Sequence, residues 1–187
     1  MPMTRVLALV GSLRDGSVSR QLAETAAAVA AENVEVTLYE GLADVPFYNE
    51  DLDGEAVPAA AVALRDAAAE VDAVLVVTPE YNGTVSAVLK NAVDWLSRPY
   101  GAGALSGKPV AIVSQSPSQN AAKWALEDAV KAIGIAGGTI VEGGSLSIGE
   151  TFGKFGGVHA KEHAETAQQI AAVVTALADA TKVLANA

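Results

Sequence analysis

The stretch "VLALVGSLRDGSVSR", residues 6–20, decides how this chain begins to fold. Val6–Val10 is an unbroken apolar run, too short for a helix and rich in β-branched residues. A strand buried on both faces has that character, because it has no solvent side to alternate with. Gly11 to Ser17 then forms a polar loop with two glycines, and from Val18 the pattern turns helical. Strand, tight loop and helix onset in succession open a β–α unit.

Working outward, the same continuous pattern recurs at "AVLVV" (73–77) and "VAIV" (110–113). By contrast "VEVTLY" (34–39) alternates, with Val34, Val36 and Leu38 on one face, as a half-exposed edge strand does. "TIVEGGSLSIG" (139–149) is broken by two glycines and alternates again at Leu146 and Ile148, which predicts a second edge strand with a bulge. Between the strands, Val85, Val88, Leu89, Ala92, Val93 and Leu96 make a helical stripe. Ile170, Val173, Val174, Leu177, Thr181 and Leu184 make another. Residues 18–31, 57–70 and 118–133 are alanine-rich and helix-compatible, whereas 41–56 and 149–157 read as irregular. Five strands alternating with helices predict an α/β doubly wound parallel sheet with helices on both faces. Edge-like second and fifth strands favour the order 2-1-3-4-5. Ligands of such sheets bind at the carboxyl ends of the strands around the switch point. The loops that matter are therefore 11–19, 78–84 and 114–120.

The composition is consistent with one domain of 187 residues, 51% of them hydrophobic. A formal charge of −10 argues against non-specific binding to nucleic acid or to an anionic membrane. No apolar run approaches the roughly 18 residues of a membrane span. The opening "MPMTRVLALVGSLR" lacks a small-residue cleavage pattern and reads as a strand rather than a signal peptide. With no cysteine, disulfides, thiolate metal sites and cysteine nucleophiles are excluded, and a cytoplasmic setting is expected.

The first loop lacks G-x-G-x-x-G, so it is not a dinucleotide fingerprint. Gly11 and Gly16 have the spacing of a triphosphate loop, but Ser17-Val18 stands where Lys-Ser/Thr is required. What remains is three hydroxyls, one cation and a helix N-terminus. Free backbone amides, Ser12, Ser17, Ser19 and Arg14 together suit a single terminal phosphate. From this loop alone a second reading stands beside it, in which the serines cap a helix and Arg14 is solvated.

The second loop, "PEYNGTVSAVLKNAVDWLSRP" (79–99), is more specific. With "GSLRDGSVSR" after strand one, it makes the chain resemble the NADPH-dependent FMN reductase family. That family has a flavodoxin-like fold and includes quinone, azo-dye and chromate reductases. The resemblance implies a single FMN-binding domain over 1–187. Ser12, Arg14, Ser17 and Ser19 would hold the FMN phosphate, Ser19 standing where relatives often have asparagine. Pro79, Glu80, Tyr81, Asn82 and Gly83 would line the flavin ring, largely through backbone groups. A strand-to-helix turn with Tyr81 in the core is the structural alternative. After strand four, "SQSPSQNAA" (114–122) replaces the glycine-rich run of many relatives; Ser116, Ser118, Gln119 and Asn120 are its candidates for the flavin's polar edge.

The function so implied is electron transfer from NADPH or NADH through bound FMN to a small-molecule acceptor: a quinone, azo compound, metal oxyanion or free flavin. No side-chain acid or base is assigned. The alternative is a flavodoxin-type electron carrier without a nicotinamide site. Relatives usually form dimers or tetramers, so a homodimer or homotetramer is expected. Trp95, just off its helix's apolar stripe, and Tyr100 point to a partner surface. His159 and His163 lie four apart on a predicted helix, with no third metal ligand at suitable spacing, and read as an exposed face. Lys90 and Asp94 read as an i, i+4 pair.

Overall fold

A computed structural model describes residues 3–185, with side chains as far as Val183. Leu184, assigned by periodicity to the last helical stripe, lies outside the described side chains. The strands are β1 (Thr4–Val10), β2 (Val34–Leu38), β3 (Ala73–Pro79), β4 (Pro109–Gln115) and β5 (Thr139–Ile148). All pair in parallel, in the order β2-β1-β3-β4-β5. Every residue of β3 and β4 is buried, while β2 buries Val34 and leaves Glu35 and Thr37 in water. The continuous runs are thus interior strands and the alternating run is an edge, as the two patterns predict.

The helices are α1 (Val18–Val29), α2 (Ala59–Ala69), α3 (Ala87–Leu96), α4 (Lys123–Ile135), α5 (Thr151–Phe155) and α6 (Ala164–Ala185). None among the described residues is long and apolar enough to cross a membrane. Neighbouring residues of one strand point to opposite faces, and here both faces are apolar. Val6, Ala8 and Val10 pack with α1 and α6, whereas Leu7 and Leu9 pack with α2, α3 and α4. Each fully buried leucine contributes about 2 kcal/mol relative to exposure.

The bulge expected in β5 lies opposite Val110–Ile112, where the register jumps from Ile140 to Ser145. Gly143 there has φ 73°, and a Cβ on Gly144 would come within 3.2 Å of Ala111 Cβ. The bulge therefore needs both glycines, one for conformation and one for space.

Three expectations change. Trp95 is not exposed: it has no accessible surface. The 45–48 strap returns over α3 and covers it, with Trp95 Nε1 donating to Pro46 O at 2.8 Å and the Tyr48 ring meeting it edge-on at 5.0 Å. Residues 118–122 are not helical, because α4 starts at Lys123. Nor do His159 and His163 share a helix. They flank a 3₁₀ turn at Ala160–Glu162, His159 pairing with Glu24 at 2.9 Å and His163 with Thr166 at 2.9 Å. No cluster of three metal-ligating side chains occurs among the described residues. Lys90 and Asp94 do pair, at 2.6 Å.

Candidate functional site

Backbone hydrogen bonds continue past the strand ends and tie the loops together. Gly11 N donates to Val77 O (2.7 Å), Glu80 N to Gln115 O (3.0 Å) and Ser116 N to Ile148 O (3.0 Å). The carboxyl ends of β1, β3, β4 and β5 thus form one continuous edge. Against it lies a cleft of about 190 Å³ that brings together Ser12, Arg14, Ser17, Pro79, Glu80 and Tyr81.

Part of this cleft's lining offers donors that could receive an anion. Ser17 is the N-cap of α1, its Oγ accepting from Arg20 N at 3.2 Å. The first amides of a helix have no acceptor inside it and present a positive dipole end. Arg14 is exposed and makes no ion pair among the described residues, so its guanidinium is available. Arg20, by contrast, is committed to Glu40 through bonds of 2.8 and 2.6 Å. Those bonds, against the cost of burial, hold the Glu40 carboxyl below the usual range. Gly16 has φ 64° with nothing near its missing Cβ, so its glycine serves the turn. Gly11 serves packing: a Cβ there would lie 2.7 Å from Ser86 Oγ and 3.3 Å from the backbone of Thr78.

The other predicted residues lie around this cleft in different ways. Ser19 is fully buried and accepts from Gln115 Nε2 at 3.1 Å, and Thr151 Oγ1 donates to the same amide's Oε1 at 3.5 Å. Its hydroxyl belongs to a buried chain running from α5 through β4 to α1. Tyr81 is 55% exposed, which removes the reading that buries it in the core. Asn82 and Gly83, at φ 52° and 75°, are the two central residues of a turn closed by paired bonds between Tyr81 and Thr84. Positive φ at both is what a tight type I′ turn requires. Two staples fix this turn to α4: Glu80 Oε2 accepts from Ala125 N at 3.1 Å, and Thr84 donates to Asp128. Glu80 thereby caps a helix whose own N-cap, Ala122, has no side-chain oxygen to do so. Ser116 donates to Ser118 Oγ at 3.0 Å, while Gln119 is exposed and the buried Nδ2 of Asn120 has no partner among the described residues.

Val18, Gln115, Pro117, Thr151 and Phe152 complete the cleft and were not anticipated from the sequence. Gln115 carries a faint signal, a polar residue ending an otherwise apolar strand. Thr151 and Phe152 carry none, because α5 spans five residues and shows no period. In the 116–122 loop, Ala121 and Ala122 both sit at φ 57°, where a Cβ costs roughly 1–2 kcal/mol per residue. Strain of this kind is kept where the surrounding structure over-determines it, commonly beside sites.

These residues fit a flavin mononucleotide. Amides, hydroxyls and an arginine unpaired among the described residues share the cleft with the flat or apolar side chains of Pro79, Tyr81, Pro117 and Phe152.

The chain also resembles proteins already known. Residues 4–153 match the model of the NADPH-dependent FMN reductase family. A quinone reductase of Pseudomonas putida is 47% identical over 112 residues, 60% of each chain. A 2-hydroxy-1,4-benzoquinone reductase of a Burkholderia species is 39% identical over the same share. These matches span less than two thirds of the curated relatives' length. Among solved structures, the flavoenzyme NAD(P)H:(acceptor) oxidoreductase FerB of Paracoccus denitrificans superposes with TM-score 0.83 at 30% identity, over 96% of this chain and 98% of that one. By the extent of its family match and by this structural relative, the chain belongs to the NADPH-dependent FMN reductase family.

Proposed function

We propose that this chain is an NAD(P)H-dependent oxidoreductase that holds FMN in the cleft at the carboxyl edge of the sheet and reduces a small-molecule acceptor, with quinones foremost. The observation that carries the reading is the cleft's make-up: Arg14, unpaired among the described residues, and the free amides of α1 share it with aromatic and prolyl walls. The names of the relatives supply the quinone. Azo compounds, metal oxyanions and free flavin are further acceptors to be screened, and a reaction fed by reduced nicotinamide suits the cytoplasm.

When bound, FMN supplies the two-electron chemistry between reduced nicotinamide and acceptor. The chain's own part is placement. Arg14, Ser12, Ser17 and the α1 amides bind the phosphate. The stapled 80–84 turn sets the position of Tyr81 through Glu80 and Thr84. Tyr81 and Phe152, both exposed, offer ring faces to a flat ligand. Ser19 acts at one remove, since it anchors Gln115 in the cleft wall.

The test is anaerobic mixing of FMN-loaded protein with NADPH or NADH, followed by a quinone. Loss of oxidised-flavin absorbance and its return with quinone are expected. Flavin that stays oxidised for minutes would instead support an electron carrier without a nicotinamide site. We also propose a homodimer or homotetramer. Support comes from the roughly 600 Å³ groove beside α3 and α4, where Tyr100 and Ile135 are 89% and 78% exposed. Sedimentation at micromolar concentration checks this, and a monomer would refute it.

A further inference from the structure

Beside the first cleft lies a second, of about 350 Å³, for which the proposed FMN site has no use. Val18 and Gln21 come to it from the first turn of α1, Phe152 and Phe155 from α5, and Val158 and His159 from the turn that follows. Val18, Thr151 and Phe152 line both clefts, so Phe152 is the ridge between them. An exposed apolar residue by itself says little. This one is 81% exposed and lines both concavities.

The second cleft is tied to the phosphate loop. Gln21 Nε2 donates to Gly16 O at 3.2 Å, and its Oε1 accepts from Ala160 N at 3.0 Å, joining the loop to the far wall. His159 has both ring nitrogens engaged in the ring plane, with Glu24 at 2.9 Å and with Lys161 N at 3.1 Å. A ligand therefore meets the ring by its face. Lys154 and Lys161 are exposed on the same segment and make no ion pair among the described residues. In a chain of 22 acidic and 12 basic residues, two free cations beside a cleft suit an anionic ligand.

We propose that the second cleft is a subsite for the adenine half of a dinucleotide whose other half reaches the first cleft. The inference rests on the FMN reading above. Phe152 supplies a stacking surface for a flat heteroaromatic ring. In FAD the first linking phosphate takes the place of the FMN phosphate at the α1 amides and Arg14. A nicotinamide dinucleotide bound beside FMN leaves that place to the FMN phosphate and turns its own phosphates toward Lys154 and Lys161. Two ligands share this chemistry. In FAD the adenylyl group is attached to the flavin phosphate, and in NADPH or NADH it is attached to the nicotinamide half.

Calorimetric titration separates them, using the full chain and two variants. Phe152→Ala removes the stacking face; Val158→Trp fills the second cleft without lining the first. The apoprotein is titrated with FMN and with FAD. The FMN-loaded protein is titrated with NADP⁺ and with nicotinamide mononucleotide. An adenine ligand should lose roughly 5- to 150-fold in affinity in both variants, the range for base–aromatic stacking. FMN and nicotinamide mononucleotide should bind Val158→Trp as they bind the unchanged chain. A loss confined to FAD assigns the subsite to the flavin, and one confined to NADP⁺ assigns it to the donor. FAD and NADP⁺ affinities unmoved by either variant would overturn the inference while leaving the FMN reading intact. Failure of FMN itself to bind the unchanged chain would overturn that reading, and the inference with it.

Discussion

Residues 41–56 and 149–157 both lack a period in the sequence, yet they behave as opposites in the fold. In the first, the groups that reach α2 and α3 are answered. Asn91 accepts from Tyr48 N at 2.8 Å and donates to Pro46 O at 3.0 Å. Arg65 donates to Asp53 at 2.7 Å and to Trp95 O at 2.9 Å, and Tyr48 donates to Asp53 at 3.0 Å. Arg65 also stands 5.2 Å over the Trp95 ring. The second segment is a five-residue helix between Glu150 at φ 55° and Gly156 and Gly157 at φ 51° and 93°. It leaves Phe152 in water. The first is scaffold because side chains of α2 and α3 take up its polar groups; its Phe47, 79% exposed, shows that an exposed ring alone does not make the second a site.

The sharpest way to break this contrast is Trp95→Ala. It removes a fully buried aromatic and a hydrogen bond, and should cost about 4 kcal/mol in urea unfolding. A cost near zero would show that the strap is not part of the core. Asp53→Asn should cost about 2.5 kcal/mol, since it leaves a mostly buried Arg65 without its counter-charge. Burial alone would raise the Asp53 carboxyl, but bonds from Arg65 and Tyr48 prevail and hold it below its ordinary value of 3.8. A carboxyl depressed on folding stabilises fully above its unfolded pKa and loses that contribution as pH falls through the lower native one. Unfolding of the unchanged chain should therefore ease with acid below about pH 4, and Asp53→Asn should flatten that dependence.

On the other side of the contrast, Arg14→Ala should weaken FMN by about 2 kcal/mol, roughly 30-fold, as loss of a charge-assisted bond does. The apoprotein's unfolding midpoint should not move. Unchanged FMN affinity would displace the phosphate from this loop. The smallest effect is expected at Phe152→Ala, whose apoprotein should stay within about 0.5 kcal/mol of the unchanged chain. A larger loss would make α5 scaffold after all.

How much of this was legible in the sequence depended on the range of the interaction. The sheet order was readable because buried and edge strands differ in local pattern, as the unbroken run "AVLVV" and the alternation at Val34, Val36 and Leu38 show. Ser17 was readable as a cap because its partner is three residues away. The partner of Ser19 is Gln115, 96 positions on, and no local pattern carries that information. Trp95 misled for the same reason. Its helix stripe marks the side facing the sheet, whereas its cover comes from a strap whose Pro46 lies 49 positions earlier. Glu80 was placed correctly on its loop, but its carboxylate serves Ala125, 45 positions away.

One consequence is optical. The chain has two tryptophans, and folding has put them in opposite media. Trp95 has no accessible surface, while Trp124 is 57% exposed and rests against the turn at Gly83, its Cε3 3.5 Å from where a Cβ would be. An indole shielded from water emits toward the blue, and one in water toward the red. A single excitation therefore gives two colours, the blue reporting whether the strap is closed over α3 and the red reporting the turn that carries Tyr81.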